Sequence, residues 1–336
     1  MSSQKAKKPT NQAIEQEEVL QAIVILESYT NKFKPLSTDT PECLLPLLNK
    51  PLIDYTLEFL KEQGVEEIHL FCTQHYEKIK RHLTDGKWSP LFRSDVIQLQ
   101  GIPGCSTLNE SMRQINMIFS SRSLSRSHFI LITAPSILAF NIHLKKNFEL
   151  HKERYRANKN AIMTVVCAKK SNDLNLDFNN RLNQTYLMLS PEMAIFNYFN
   201  SYDNNADQEE FSISSETMKY LNKLDSRPNL KVSSKLTLRT DLLDTQIYFC
   251  TAHVLNLFED NFHAQSMSAF LDTIISDTIA SNLIYCDILN RSNGAYLATI
   301  NSLNSYYFQT MKLLQRSREF NLASGREYLI ENRIES

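Results

Sequence analysis

The sequence predicts an α/β fold in which helices cover both faces of a mostly parallel sheet that continues into an antiparallel extension. Within residues 22–156, four continuous apolar runs of strand length alternate with four helical patterns, as in consecutive βαβ units. Right-handed crossovers between such strands produce a parallel sheet. After residue 160, apolar runs follow one another without helices between them, which indicates antiparallel strands. The chain has 336 residues, 42% of them hydrophobic, and can therefore bury a large core.

The first half begins with a strand at residues 22–26, an unbroken apolar run typical of a strand buried on both faces. A polar loop bounded by proline follows at residues 27–41. The next segment, residues 51–60, is a helix, because its apolar residues have helical spacing, Pro51 stands in the first turn and Gly64 ends it. The remaining predicted strands are residues 67–72, 95–99 and 129–132, and the remaining helices lie near 75–83, 107–119 and 141–156.

The second half is predicted to contain more strands than helices. The strands are residues 161–168, 186–189, 194–198, 242–250, 283–286 and 296–300, and the helices lie near 253–258, 266–280 and 303–314. We expect three parts along the chain: a disordered leader at residues 1–19, one domain at residues 20–318, and a tail at residues 319–336. The polar stretch at about 200–234 is predicted to be a mobile insertion within the domain.

Composition excludes several classes of function. The 36 basic and 37 acidic residues give a net charge of −1, so direct binding to nucleic acid is not expected. Six glycines are too few and too scattered for a dinucleotide-binding or Walker phosphate loop, and the six cysteines form no C-x-x-C pair. We therefore expect no cofactor and no metal. The polar N-terminus and the lack of a long apolar segment predict a cytoplasmic protein without a membrane anchor.

One motif carries a family resemblance. Residues 41–53 read PECLLPLLNKPLI and resemble the P-K-x-L-L-P-x-x-N-K-P-L-I signature of the nucleotidyltransferases that make nucleotide-sugars. The resemblance implies a Rossmann-like fold of the nucleotidyltransferase type. In that family a glycine-rich loop after the first strand cradles triphosphate, a lysine after the first proline of the signature binds phosphate, and an aspartate after the fourth strand holds magnesium.

This chain departs from the family at all three places. The residues that stand there form a predicted degenerate nucleotide site: Glu27, Ser28 and Tyr29 in the loop, Glu42 at the lysine position, and Ala134 and Pro135 after the fourth strand. Phosphoryl transfer needs positioned positive charge and a metal held by a carboxylate. We therefore predict no catalytic residue and no transferase activity.

Further motifs resemble the gamma and epsilon subunits of initiation factor 2B, the guanine-nucleotide exchange factor for translation initiation factor 2. The similar segments favour epsilon and are residues 52–60, 241–250, 258–262 and 295–306. The resemblance implies an assembly domain whose partners are the gamma and other subunits and initiation factor 2, with exchange catalysed by a C-terminal domain not visible here. Two alternatives stay open: a divergent active nucleotidyltransferase, and a gamma-like subunit.

Asn261 and Phe262 match the family motif associated with engaging the substrate factor, although His263 stands where the family has aspartate. The residues alone also allow Asn261 to end a helix and Phe262 to be core. Two other polar pairs have structural interpretations: His75 and His82 would share a helical face without further metal ligands, and Asp241 and Asp244 are expected to cap or to lie at the surface.

Overall fold

The described part of the chain folds into seven main-sheet strands surrounded by helices and smaller sheets. The computed structural model describes residues 19–120, 128–169, 185–200, 236–277, 279–289 and 296–314. The predicted leader at residues 1–19, insertion at about 200–234 and tail at 319–336 lie outside the described residues, apart from residues 19 and 200.

The elements follow the predicted order. The strands are β1 (Gln21–Ile25), β2 (Pro46–Leu47), β3 (Lys50–Pro51), β4 (Glu67–Cys72), β5 (Ile97–Gly101), β6 (His128–Ile132), β7 (Ser136–Phe140), β8 (Ala161–Lys169), β9 (Thr185–Leu189), β10 (Ile195–Asn200), β11 (Thr237–Arg239), β12 (Leu242–Thr251), β13 (Leu283–Leu289) and β14 (Tyr296–Ile300). The helices are α1 (Leu52–Glu62), α2 (Tyr76–Asp85), α3 (Ser89–Arg93), α4 (Leu108–Ser120), α5 (Lys145–Ala157), α6 (His253–Asp260), α7 (Met267–Ser276) and α8 (Leu303–Leu314).

The main sheet of the described residues has the strand order β13-β8-β12-β6-β1-β4-β5. Strands β1, β4, β5 and β6 are parallel to one another, and β13 is parallel to β8. Strand β12 lies between β6 and β8 and is antiparallel to both. All five residues of β1 are buried, as its apolar run predicts, because helices cover both faces of the sheet. The predicted fold class, a mostly parallel sheet with helices on both faces, is confirmed.

Two apolar cores lie on opposite faces of the sheet. One is built by α4, α6 and α7 together with residues of β8, β9 and β12. The other is built by α1, α2 and α5, with Ile53, Leu57 and Phe148 packed against alternate residues of the strands. All six cysteines lie in described ranges and are free, and five of them are buried, as expected of small apolar side chains in a core.

Helix α1 illustrates how the sequence sets the element ends. Pro51 precedes its first residue, where the missing N–H of proline costs no helical hydrogen bond. The helix ends before Gly64, whose φ of +77° is the left-handed conformation that glycine adopts without steric cost. Ahead of α1, Leu48 and Asn49 also have positive φ and form the tight turn between β2 and β3.

The structure adds elements to the sequence prediction and shortens one predicted helix. Strand β7, which pairs antiparallel with β14, was not predicted, and neither was the short helix α3. The antiparallel extension is confirmed as a separate sheet of the described residues, with the order β10-β9-β11. The helix predicted at residues 266–280 ends earlier, at Ser276, where the carbonyl of Thr273 bonds the amide of Asp277. No helix in the described part of the chain is long and apolar enough to cross a membrane.

Candidate functional site

The loops that follow β1, β5 and β6 meet at one edge of the sheet. The chain continues from β1 to β4 and β5 on one side and then returns to β6 on the other side of β1, so the strand order reverses there. Open α/β sheets bind their ligands at such a switch point. A cavity of about 220 Å³ lies there. Its lining residues are Ser28, Tyr29, Thr30, Ser106, Thr107, Leu108, Thr133, Gln246, Gln265, Ser266 and Met267.

Glu27 ties the loop after β1 to the neighbouring loop after β4. Its carboxylate accepts hydrogen bonds from the backbone N–H of Thr73 at 2.9 Å and of Gln74 at 2.8 Å, and from the Thr73 hydroxyl. The loop after β1, where the resemblance implies amides that face phosphate, is fixed here to the next loop through the carboxylate of Glu27.

Glu42 also fixes the loop after β1, through bonds to Ser28. Its side chain is only 8% exposed and accepts bonds from the backbone N–H and the hydroxyl of Ser28, each at 3.1 Å. Burial raises the pKa of Glu42 to about 7, against the opposing effect of the two bonds from Ser28. The residue at the family's lysine position therefore supplies no positive charge, and it is bonded to the loop beside the cavity.

Tyr29 forms part of the cavity wall. Its backbone has a φ of +52°, unusual for a residue with a large side chain, and its hydroxyl lies 2.5 Å from the Ser111 hydroxyl on α4. Burial raises the pKa of Tyr29 well above its usual range. The phenol is therefore protonated and acts as a fixed, neutral part of the wall.

The segment after β6 provides no carboxylate. Thr133 lines the cavity, whereas Ala134 and Pro135 are buried behind it. Among the described residues, no group of three or more histidines, cysteines or carboxylates is placed to hold a metal ion.

The predicted site residues thus divide into two sets. Ser28 and Tyr29 line the cavity, while Glu27 and Glu42 brace the loop behind it. Sequence reasoning missed Gln246 of β12, which enters the cavity because β12 has a bulge between residues 244 and 247. A positive φ at a glutamine leaves no sequence signal that could have revealed it.

Asn261 and Phe262 lie away from this cavity, at the end of α6. Asn261 ends the helix: its side-chain amide donates to the Leu257 carbonyl at 2.8 Å, and its own carbonyl accepts from Asn109 of α4 at 2.9 Å. Phe262 is 59% exposed, with its ring against that of His263. The core alternative for Phe262 is therefore wrong, and the helix-ending interpretation of Asn261 is confirmed.

Three of the four residues in the other polar pairs have side-chain partners, whereas His75 stands ahead of α2 and its Nε2 has no hydrogen-bond partner among the described residues. His82 bonds Asp54 on α1 at 2.8 Å, and Asp241 forms an ion pair with Arg239 at 2.7 Å at the surface. Asp244 is half-buried, and its carboxylate caps the backbone N–H two residues further on, which is one of the two roles predicted for it. Its carboxylate accepts bonds from the hydroxyls of Tyr198 and Tyr248 and from the backbone of Gln246.

Residues 22–175 match the profile of the family described as Nucleotidyl transferase. The fold agrees: the structure of UDP-glucose pyrophosphorylase complexed with UDP-glucose superposes with a TM-score of 0.58 at 12% identity, covering 89% of this chain and all of that one. Residues 22–175 therefore resemble a nucleotidyltransferase domain, and the described residues have the fold of that class.

Within that class, subunits of one translation initiation factor are similar to most of this chain. It is 30% identical over 305 residues to translation initiation factor eIF2B subunit epsilon of Dictyostelium discoideum, covering 90% of this chain and 39% of the relative. The same subunit of Schizosaccharomyces pombe is also 30% identical, covering 88% of this chain and 40% of the relative. The resemblance to the epsilon subunit is confirmed, and the chain spans about two fifths of the length of these relatives.

Proposed function

We propose that the chain is a subunit of an initiation factor 2B complex, in which it assembles the complex and helps to bind initiation factor 2 without transferring nucleotides itself. The observation that carries the proposal is the buried Glu42 carboxyl, which stands at the family's phosphate-binding lysine and is bonded to Ser28 of the loop. The relatives at 30% identity bear the name of the epsilon subunit, which supports placing this chain in that complex.

The chemistry of the cavity argues against nucleotidyl transfer. A transferred nucleotidyl group develops negative charge on its phosphate oxygens, and catalysis depends on cations that stabilise that charge. None of the lining residues, all of which lie in described ranges, is charged. The raised pKa of Glu42 is about 7, so above this pH its carboxylate would add negative charge next to the loop. Both features disfavour a bound triphosphate.

The partner surface in this proposal centres on Asn261 and Phe262. An aromatic side chain that is 59% exposed beside a rigid helix end has the properties of an interface anchor. The backbone around it is fixed from two elements, since Asn109 of α4 bonds the Asn261 carbonyl. We propose that initiation factor 2 binds here, that the gamma and other subunits bind elsewhere on the domain, and that the complex works in the cytosol. We assign the exchange step to a C-terminal domain of the longer relatives, outside the part that corresponds to residues 20–318 of this chain.

The partner proposal is tested by capture of initiation factor 2 on the immobilised full chain. Phe262→Ala should weaken capture about tenfold or more, which corresponds to about 1.4 kcal/mol. Leu150→Ala is the matched control: Leu150 is a 39% exposed apolar residue on α5, the helix on the opposite face of the sheet. Equal capture by both variants would refute the assignment of this surface.

The absence of transferase activity is tested separately, by magnesium-dependent pyrophosphate release from nucleoside triphosphates with sugar 1-phosphates. We expect no release above that of a heat-denatured sample. Release that survives further purification and is lost on substitution of cavity residues would establish the alternative, a divergent active nucleotidyltransferase.

A further inference from the structure

Helix α2 carries a charged surface depression of about 420 Å³, here called the α2 depression. Its lining residues are Lys78, Arg81, His82, Asp85 and Gly86, and none of them lines the cavity at the switch point. We propose that the α2 depression binds the phosphate group of a phosphomonoester, carried either by a small metabolite or by a phosphorylated side chain of a protein. The site is independent of the proposed function, because α2 packs on the face of the sheet opposite to α6.

Three basic side chains share one side of α2. Lys78, Arg81 and His82 stand at positions i, i+3 and i+4, which are neighbours on the surface of a helix. Arg81 is exposed and forms no hydrogen bond or ion pair with the described residues, so its guanidinium can bind a ligand. The planar fork of N–H groups on a guanidinium matches two oxygens of one phosphate group.

Lys78 is positioned by a contact outside its own helix. Its Nζ donates a hydrogen bond to the backbone carbonyl of Asp39, in the loop that follows β1. An ammonium group has three N–H donors, so this bond fixes the direction of the side chain and leaves two donors for a ligand.

His82 is oriented by a buried carboxylate. Its Nε2 lies 2.8 Å from Oδ1 of Asp54, which is only 5% exposed and whose lowered pKa keeps it ionised. Because an ionised carboxylate only accepts hydrogen bonds, Nε2 carries the proton. The other ring nitrogen, Nδ1, has no hydrogen-bond partner among the described residues, and the side chain is 23% exposed. A second proton on this ring would give the α2 depression another N–H donor and another positive charge.

The balance of charge favours an anion. Lys78 and Arg81 supply two positive charges against one negative charge on Asp85, before any contribution from His82. The last carbonyls of α2 oppose an anion, but their partial charge is smaller than these two full charges. A phosphomonoester carries a charge of about −1.5 to −2 and three acceptor oxygens, enough to meet all three basic side chains.

The exposure of the site explains why two sources fit. Lys78, Arg81 and Asp85 are exposed, so the α2 depression can contact a phosphate group but does not enclose a whole small molecule. The phosphate group itself is therefore what the site recognises.

Trp88 supplies a fluorescence signal that reports on this site. It is the only tryptophan in the sequence, and its Nε1 donates at 2.8 Å to Asp54 Oδ1, the same oxygen that His82 contacts. A ligand that engages His82 changes the charge next to this indole, and its binding should therefore change the fluorescence of Trp88.

The test titrates the full chain with inorganic phosphate, glycerol 3-phosphate and a blocked phosphoserine tripeptide, and calorimetry measures each affinity. The unphosphorylated tripeptide is the control probe. We expect the phosphate-bearing probes to bind and to change the fluorescence of Trp88, and the control probe to do neither. Tighter binding of the phosphoserine tripeptide than of glycerol 3-phosphate would identify a protein side chain as the source, and the reverse order a small metabolite.

Four variants locate the binding. Arg81→Gln and Lys78→Gln should each weaken the bound phosphate probe about fivefold, whereas Asp85→Asn should tighten it about twofold. Lys80→Gln is the matched control, because it removes the same charge at an exposed position of α2 outside the depression, and it should change the affinity by less than about twofold. Circular dichroism checks that each variant folds. No binding of any phosphate-bearing probe, binding that leaves the fluorescence of Trp88 unchanged, or an equal loss for Lys80→Gln and Arg81→Gln would overturn the proposal.

Discussion

Glu42 should make the domain less stable as the pH rises. The pKa of its carboxyl is 4.5 in an unfolded chain and is raised to about 7 in the fold, chiefly by burial. Between these values the folded state binds more protons than the unfolded state, so the free energy of unfolding falls as the pH rises and is constant above a pH of about 7. At about 1.4 kcal/mol per pKa unit, the loss is about 3 kcal/mol.

Glu42→Gln removes this titration and keeps the size and one acceptor oxygen for Ser28. Urea unfolding of both proteins at about pH 5 and about pH 8 isolates the contribution of Glu42. The free energy of unfolding of Glu42→Gln, relative to the wild-type protein, should rise by about 2.5 kcal/mol over this interval, because pH 5 already lies above the unfolded pKa. Other titrating groups are present in both proteins and cancel in the difference.

Glu62→Gln is the matched control, since it makes the same chemical change at an exposed position near the end of α1. Its stability relative to wild type should vary little with pH. A difference for Glu42→Gln that is constant with pH to within about 0.5 kcal/mol would refute the assignment of a raised pKa. In that case Glu42 would be charged beside the loop below neutral pH as well.

Three further predictions concern the supports of the fold. Phe258 is fully buried and stacks on Phe270 with 3.7 Å between ring centres, so Phe258→Ala should cost about 3 to 5 kcal/mol in urea unfolding; a cost below about 1 kcal/mol would contradict this packing. Burial, with the charge of His128 adding to it, lowers the pKa of His151 from 6.5 to about 3. The stabilisation from neutral His151 is thus complete above a pH of about 6.5 and is lost towards 3, and His151→Gln should flatten the acid-unfolding curve, whereas parallel curves would contradict the shift. Bonds from His82 and Trp88 outweigh the effect of burial and lower the pKa of Asp54. Asp54→Ala should therefore lower the free energy of unfolding in urea by about 3 kcal/mol. A loss under about 1 kcal/mol would show that these bonds contribute no more than surface pairs do.

The sequence predicted those elements whose signal is local. Strand β1 is one apolar run, and α1 has a proline at its start and a glycine after its end, so both were located to within two residues. Strand β7 was missed because Pro135 precedes it and because its partner β14 lies about 160 residues away, so nothing near it in the sequence indicates the pairing.

The sequence predicted which residues stand at the candidate site but not how they contact one another. The glutamate at position 42 was visible in the motif, and the loss of charge followed from it directly. That its carboxyl is buried and bonds Ser28 depends on contacts between separate segments. Gln246 was invisible for a stronger reason: only the bulge in β12 turns it into the cavity, and bulges are set by the pairing of whole strands.

The placement of β12 has a consequence for synthesis on the ribosome. Strand β6 is complete at residue 132, yet the partner on its free side, β12, ends at residue 251. At 5 to 20 residues per second, the apolar edge of β6 waits on the order of ten seconds before it is paired. Until then β8 has neither of its neighbours, since both β12 and β13 follow it in the chain. The nascent chain therefore carries an open strand edge, which is a hazard for aggregation and a natural point for chaperones to act.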